Sequence, residues 1–228
     1  MPWLPRCCFS APEPNGDDAP RTIARPSSST GFFPPVTDPF PMKRDTPLLA
    51  APPARDVVAF WRDAGPAQWF AKHPDFDCRF RERFLDTHLA AARREFDDWL
   101  STPYGTLALL LLTDQFPRNA FRGTAQMYAT DALARQFATH AYEHGQMAHV
   151  ERPLRLFFCL PFAHSENLDD QRISVELNGR LGQPWLSHAR RHRDIVARFG
   201  RFPHRNPLLG RETTRDEARF LAEGGFAG

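Results

Sequence analysis

The sequence has little of what most function classes require. Its four cysteines are Cys7, Cys8, Cys78 and Cys159, and none are spaced as CxxC, which excludes zinc-ribbon and thioredoxin-like sites. Cys78 and Cys159 stand singly in apolar helical patterns, as unpaired thiols do in a reducing compartment. The longest apolar run is Leu107 to Leu112, whereas a membrane-spanning helix needs about 20 residues. The net charge is only +2, short of the basic footprint that nucleic acid or anionic lipid attracts. No G-x-x-x-x-G-K-[ST] or G-x-G-x-x-G is present to cradle a nucleotide phosphate, and no G-x-S-x-G to present a hydrolase serine. The first residues lack the apolar stretch of a secretory signal. Arg6 occupies the position before Cys7 where a lipoprotein signal needs a small residue. These absences predict a soluble, cytoplasmic protein with no membrane or nucleic-acid partner.

What is present is mostly helix. Apolar residues are 42% of the chain and 20 are Phe, enough for a sizeable core. Residues 1–50 are rich in Pro, Ser, Gly and Asp without any period, and such a segment cannot bury enough apolar surface to offset its ordering entropy. A disordered Pro-rich tail is predicted there. Met42, just ahead of the helical pattern, is the expected true start. Residues 51–228 are predicted to form a single all-helical domain.

Within it, Val57, Phe60, Trp61 and Ala64 recur at i, i+3, i+4, i+7. Gly65-Pro66 breaks that helix and opens a short one through Trp69-Phe70. Phe76, Phe80, Phe84, Leu85, Leu89, Ala92, Phe96 and Trp99 predict one long helix. Thr102-Pro103 is a capping hydroxyl followed by proline, starting a helix of about 103–115. That helix is apolar on all sides and so is predicted to be central. Thr130 is expected to cap the next helix, Pro161 to close another, and Ser165 to cap the one after. Trp185, Ala189, His192, Val196 and Phe199 form an inward stripe. Thr213 with Asp216, or Thr214 with Glu217, has the spacing of a capping box. The class is all-α, with about nine or ten short helices in a helix-hairpin superhelix or an irregular bundle.

Three segments together resemble a known family. The first runs Thr113-Asp114-Gln115-Phe116-Pro117-Arg118-Asn119, then Phe121-Arg122-Gly123-Thr124 and Ala129-Thr130-Asp131. The second is Leu156-Phe157-Phe158 through Pro161-Phe162, His164-Ser165-Glu166 and Gln171. The third is His192 to Asn206, then Leu209-Gly210-Arg211-Glu212 and Phe220-Leu221. They resemble the bacterial domain-of-unknown-function family 924 over about Arg55 to Leu221. The resemblance implies a tetratricopeptide-like helical fold, a pattern beginning close to Met42, and no assigned reaction.

The same segments hold the residues able to do chemistry. His192 lies on an apolar helix face, and His204, Arg205 and Asn206 follow in a loop with Arg198, Arg201 and Arg211 near. Arginine forks suit carboxylate or phosphate, and histidine moves protons near neutral pH. Asp114, Arg118, Asn119 and Arg122 end the central helix, where Asp114 can pair with Arg118 at i,i+4 or orient a histidine or arginine from another helix. His164 and Glu166 offer a base and a carboxylate in one turn. His188 and His192 have metallopeptidase spacing, but Ala189 stands where H-E-x-x-H needs glutamate. Hence neither metal nor cofactor is expected. Two functions fit: a pocket for a small anionic molecule, with His192, His204, His164 and Glu166 as acid/base candidates and Arg201, Arg205, Asn206 and Arg198 among the binding ones; or a scaffold that holds a peptide without catalysis.

Overall fold

A computed structural model describes residues 52–226. The predicted tail, the Met42 start, Cys7 and Cys8 lie outside the described residues. These residues form α-helices, short 3₁₀ turns and one π turn, with no strand among them. The chain is therefore all-α. The helices are α1 (Pro52–Ala64), α2 (Pro66–Trp69), α3 (Pro74–Ala92), α4 (Pro103–Leu110), α5 (Phe116–Ala120), α6 (Asp131–Glu143), α7 (Leu156–Ala163), α8 (Leu168–Leu181), α9 (Trp185–Phe199) and α10 (Arg215–Ala222). None is long and apolar enough to cross a membrane.

The apolar run makes α4 the centre. Leu107 through Leu112 are fully buried, and α4 packs on α1, α6 and α7. From α6 onward each long helix packs on the next in sequence, α6 on α7, α7 on α8, α8 on α9. Phe60, Trp61, Phe76, Phe80, Phe84, Phe116 and Phe157 form one ring network, with Trp61 and Phe80 centroids 5.3 Å apart and Trp61 edge-on to Phe157 at 5.4 Å. Aromatic burial of this extent dominates core energetics. A second, small cluster of Ile195, Val196 and Phe202 joins the end of α9 to the loop beyond it.

Capping chemistry sets several boundaries. Gly105 N–H donates to Thr102 Oγ1 at 3.1 Å, with Pro103 in the first turn of α4. Thr214 and Glu217 complete a capping box at α10. Other boundaries differ from expectation. The long aromatic helix ends at Ala92, because Arg94 takes a left-handed conformation (φ 65°), and a 3₁₀ turn then carries Trp99. Leu89, expected inward, is 42% exposed on the last turn of α3. Pro161 sits inside α7 rather than closing it. It falls in the last turn of a short, largely buried helix, where losing one N–H donor is tolerated by the surrounding packing. Ser165 is not a cap: Asn167 Oδ1 accepts from Asp169 and Asp170 N–H at 2.7 and 3.4 Å, while Ser165 donates to Asp170.

The predicted helix of about 103–115 changes character at Leu111, where five residues form a π turn, Leu111–Gln115. Pro117 accounts for it physically: it has no N–H to offer the carbonyls one turn back. Those carbonyls find side chains instead. Leu112 O accepts from His88 Nδ1 at 2.8 Å, Thr113 O from Thr130 Oγ1 at 2.6 Å, and Asp114 O from Arg118 at 2.8 Å. Thr130 therefore heads α6 without capping it, its hydroxyl being spent on Thr113.

Two glycines distinguish helix propensity from packing. A Cβ on Gly105 would lie 2.2 Å from Trp99 O and 2.7 Å from Thr102 Oγ1, whereas one on Gly179 would meet nothing closer than Leu186 Cδ1 at 4.0 Å. In urea unfolding, Gly179→Ala is expected to stabilise by up to about 1 kcal/mol. Gly105→Ala is expected to destabilise by about 1–3 kcal/mol, as overpacking does. Equal effects would contradict this account of the α4 start.

Candidate functional site

A cavity of about 480 Å³ opens between α5, α7, α9 and the loop following α9. Residues from all three polar segments line it: Arg118, Asn119 and Arg122 from the first, His164 from the second, His192, His204 and Arg205 from the third.

Asp114 lies beneath this wall, 1% exposed. Its Oδ1 accepts from His164 Nδ1 at 2.7 Å and stands 3.2 Å from Arg118, while Oδ2 accepts from Gln115 at 2.6 Å. Burial pushes the carboxyl up, but Arg118, His164 and Gln115 together outweigh it and hold Asp114 ionised. Arg118 also makes a bidentate pair with Asp131 at 2.7 and 3.0 Å. Its guanidinium is thus shared by two carboxylates. His164 is pushed down by burial and by Arg118, partly offset by Asp114, and is neutral at neutral pH. A carboxylate can only accept, so His164 carries its proton on Nδ1. Nε2 has no protein partner and is not sealed from the cavity its ring lines.

The third segment reaches the cavity through a braced loop. Gly200 ends α9 in the left-handed region (φ 69°). Beyond it Glu166 accepts from Phe202 N–H at 2.8 Å and from Arg211 at 2.7 and 3.0 Å. Glu217 accepts from Arg201 at 2.6 and 2.9 Å and from Asn206 at 3.3 Å. So held, the loop presents His204 and Arg205. The Arg205 guanidinium is sandwiched between the Tyr128 and Phe202 rings, 4.7 Å from each centroid. It donates to His164 O at 2.9 Å and lies 3.5 Å from Asp131. Three cavity-lining residues carry a buried nitrogen with no hydrogen-bond partner, His192 Nδ1, His204 Nδ1 and Arg205 Nε, and in the bracing loop Asn206 Oδ1 and Arg211 Nε also lack one.

Not every predicted residue arrives. Glu166 is ionised and clamped: burial raises its carboxyl, but Arg211 and the Phe202 N–H lower it further, which removes it as an acid/base near neutral pH. Arg201 turns to Glu217 and the Glu212 carbonyl. Asn206 is buried, bonded to Glu217, and does not line the cavity. Arg198 lies over the Phe199 and Phe220 rings, 4.6 and 5.7 Å from their centroids. In each case an intramolecular partner of the loop, rather than the cavity, takes the charge. Asn119 and Arg122 line the cavity while donating to Asp77 in the first turn of α3. Sequence reasoning missed Asp131 and Tyr128 as site residues, although Asp131 stands in the first segment. It also missed Trp69, Phe70 and Phe226, which carry no local signal of a cavity. Among the described residues no three His, Cys, Asp or Glu converge as a metal would need.

His192 and His204 are held at about 3 and about 4 respectively. Burial is the main cause for both, followed by His164 and His188 around His192 and by Arg205 beside His204. Both therefore stay neutral in the fold while the unfolded chain protonates near 6.5. The sign follows from linkage: their stabilisation is complete above pH 6.5 and is lost as pH falls toward 4 and 3. Urea unfolding at a series of pH values is expected to show stability falling below pH 6.5. His204→Asn should flatten part of that fall. An unchanged slope in the variant would contradict the assigned environment.

The chain matches the family described as bacterial protein of unknown function, DUF924, over residues 57–225. It is also similar to a solved structure of the protein of unknown function ATU0120 from Agrobacterium tumefaciens, at 56% identity with a TM-score of 0.74, covering 75% of this chain and 97% of that one. No curated protein matches it. With the match spanning well over half of its length, the chain belongs to the DUF924 family of bacterial proteins of unknown function.

Proposed function

We propose that the domain binds a small molecule through an anionic group in the cavity between α5, α7 and α9. The observation that carries this reading is the convergence of Arg205, His192 and His204 on one cavity, where Arg205 Nε and His204 Nδ1 are buried with no protein atom to satisfy them. Leaving such groups unpaired costs stability, roughly 1–3 kcal/mol each, and a ligand offering acceptors would recover it. Arg118 and Arg205 supply the positive field. Asp114 and Asp131 already neutralise part of it, which favours a singly charged group over a highly charged one.

His164 gives the cavity a chemical capacity as well. With Nδ1–H tied to Asp114, its Nε2 lone pair is fixed as an acceptor, the arrangement a general base needs. A ligand that carries an acidic proton would meet that nitrogen first. The acidic end of a peptide would satisfy the same donors, but a cavity of about 480 Å³ is of small-molecule size.

The test is a thermal-shift screen of the full chain against carboxylate and phosphorylated metabolites, with and without divalent metals. A ligand selective for the folded state at about 100 times its Kd stabilises by about 2.7 kcal/mol, a shift of a few degrees. His204→Ala is expected to abolish the shift. If nothing in the panel moves the Tm, the pocket reading fails and a peptide-holding scaffold takes its place.

A further inference from the structure

The cavity is graded from apolar to polar along two helices. On α7 the lining residues are Leu156 and Leu160 at the start and His164 just past the end. On α9 they are Trp185 at the start and His192 two turns on. The two starts lie together: Phe70 is 6.2 Å from the Phe157 ring and 6.1 Å from Trp185. The two polar ends lie together as well, His192 against the Ala163 backbone. So α7 and α9 run in the same direction, with their apolar and charged residues in register. Seven residues of helix separate Trp185 from His192, about 10 Å.

At the polar end stand Arg118, Arg205, His164 and His204. At the other, Trp69, Phe70, Trp185, Leu156 and Leu160 enclose the space, together with Asn178 of α8 and the exposed His188. Phe70 is 52% exposed and packs against the Phe157 and Trp185 rings. A small hydrophilic anion would use the first end and leave the second wet.

We infer that the ligand is an amphipathic monoanion: a carboxylate head with an unbranched or aryl apolar body about 10 Å long. This rests on the pocket reading above and specifies its ligand. The head accepts from Arg205 and His204, and the body lies along α7 and α9 against Phe70 and Trp185. Affinity then depends on both parts at once, because burying each methylene strengthens binding about fourfold.

The probes are sodium carboxylates from acetate to dodecanoate, with decanol and inorganic phosphate as controls, followed by tryptophan emission of the full chain. Trp69 and Trp185 line the cavity and would report occupancy. Decanoate is expected to bind saturably and at least tenfold more tightly than acetate, phosphate or decanol. Phe70→Ala, at an exposed position, should weaken decanoate by about tenfold and leave any phosphate or acetate response unchanged. Arg205→Gln should erase the preference for decanoate over decanol, and His204→Ala serves as the head-group variant should Arg205→Gln fail to fold. Acetate or phosphate matching decanoate overturns the inference and leaves the anion pocket standing. Decanol matching decanoate overturns both. No saturable response at any chain length overturns the inference alone, provided the metabolite screen has yielded a ligand lost in His204→Ala.

Discussion

A buried carboxylate is costly in an apolar interior unless other charges and hydrogen bonds meet it, and Asp114 sits in the middle of this domain at 1% exposure. Its requirements organise what surrounds it. Arg118 one turn on supplies the charge, His164 at the end of α7 supplies a donor, and Gln115 supplies another. Arg118 is then shared with Asp131 at the head of α6. One anion thus ties α5, α6 and α7 together at the same point. Removing Arg118 would leave the Asp114 charge uncompensated in the interior, the situation that destabilises buried ion pairs most.

The backbone geometry that puts Asp114 there comes from a proline. Pro117 cannot donate to the preceding turn, and the helix widens to a π turn across Leu111–Gln115. Such turns are frequent at functional sites because they free backbone carbonyls and rotate side chains out of the regular order. Here His88, Thr130 and Arg118 take up the carbonyls. The polar end of an otherwise apolar helix can then lie against the interior without unmet acceptors. The loop after α9 follows the same logic with other means. Glu166 and Glu217 brace it through Arg211 and Arg201, and the residues left over, His204 and Arg205, face the cavity.

Most of the loop's polar atoms are paired, and a few are not. Arg201, Glu166 and the Asn206 amide nitrogen have partners and belong to its frame, while Asn206 Oδ1 and Arg211 Nε lack one. His192, His204 and Arg205 keep nitrogens that lack them. Of the nine buried side-chain atoms without a partner among the described residues, three belong to residues that line this one cavity, and unmet polar groups gathered at one cavity are where a function is to be sought. Residue type does not distinguish the two sets, since arginine and histidine or their neighbours occur in both.

How much was legible in the chain follows from whether the cause was local. Period and caps are local. The apolar face of α1, the Thr102-Pro103 start, the Thr214–Glu217 box and the central position of Leu107 to Leu112 could all be read from neighbours within a turn or two, and so could membership of an all-helical family. The three polar segments were likewise visible as polar. Their meeting at one cavity was not, because it depends on α7 and α9 running side by side in the same direction across the intervening α8. Nor could sequence tell that Glu166 would be captured by Arg211, Arg201 by Glu217, or that Leu89 would face out where α3 ends. Those choices were made by partners 16 to 45 residues away along the chain. The sequence by itself determined which stretches are helical and which residues must be buried. Only the tertiary structure decided which of the charged residues serve the loop and which face the cavity, since each charge goes to the partner that packing brings within reach.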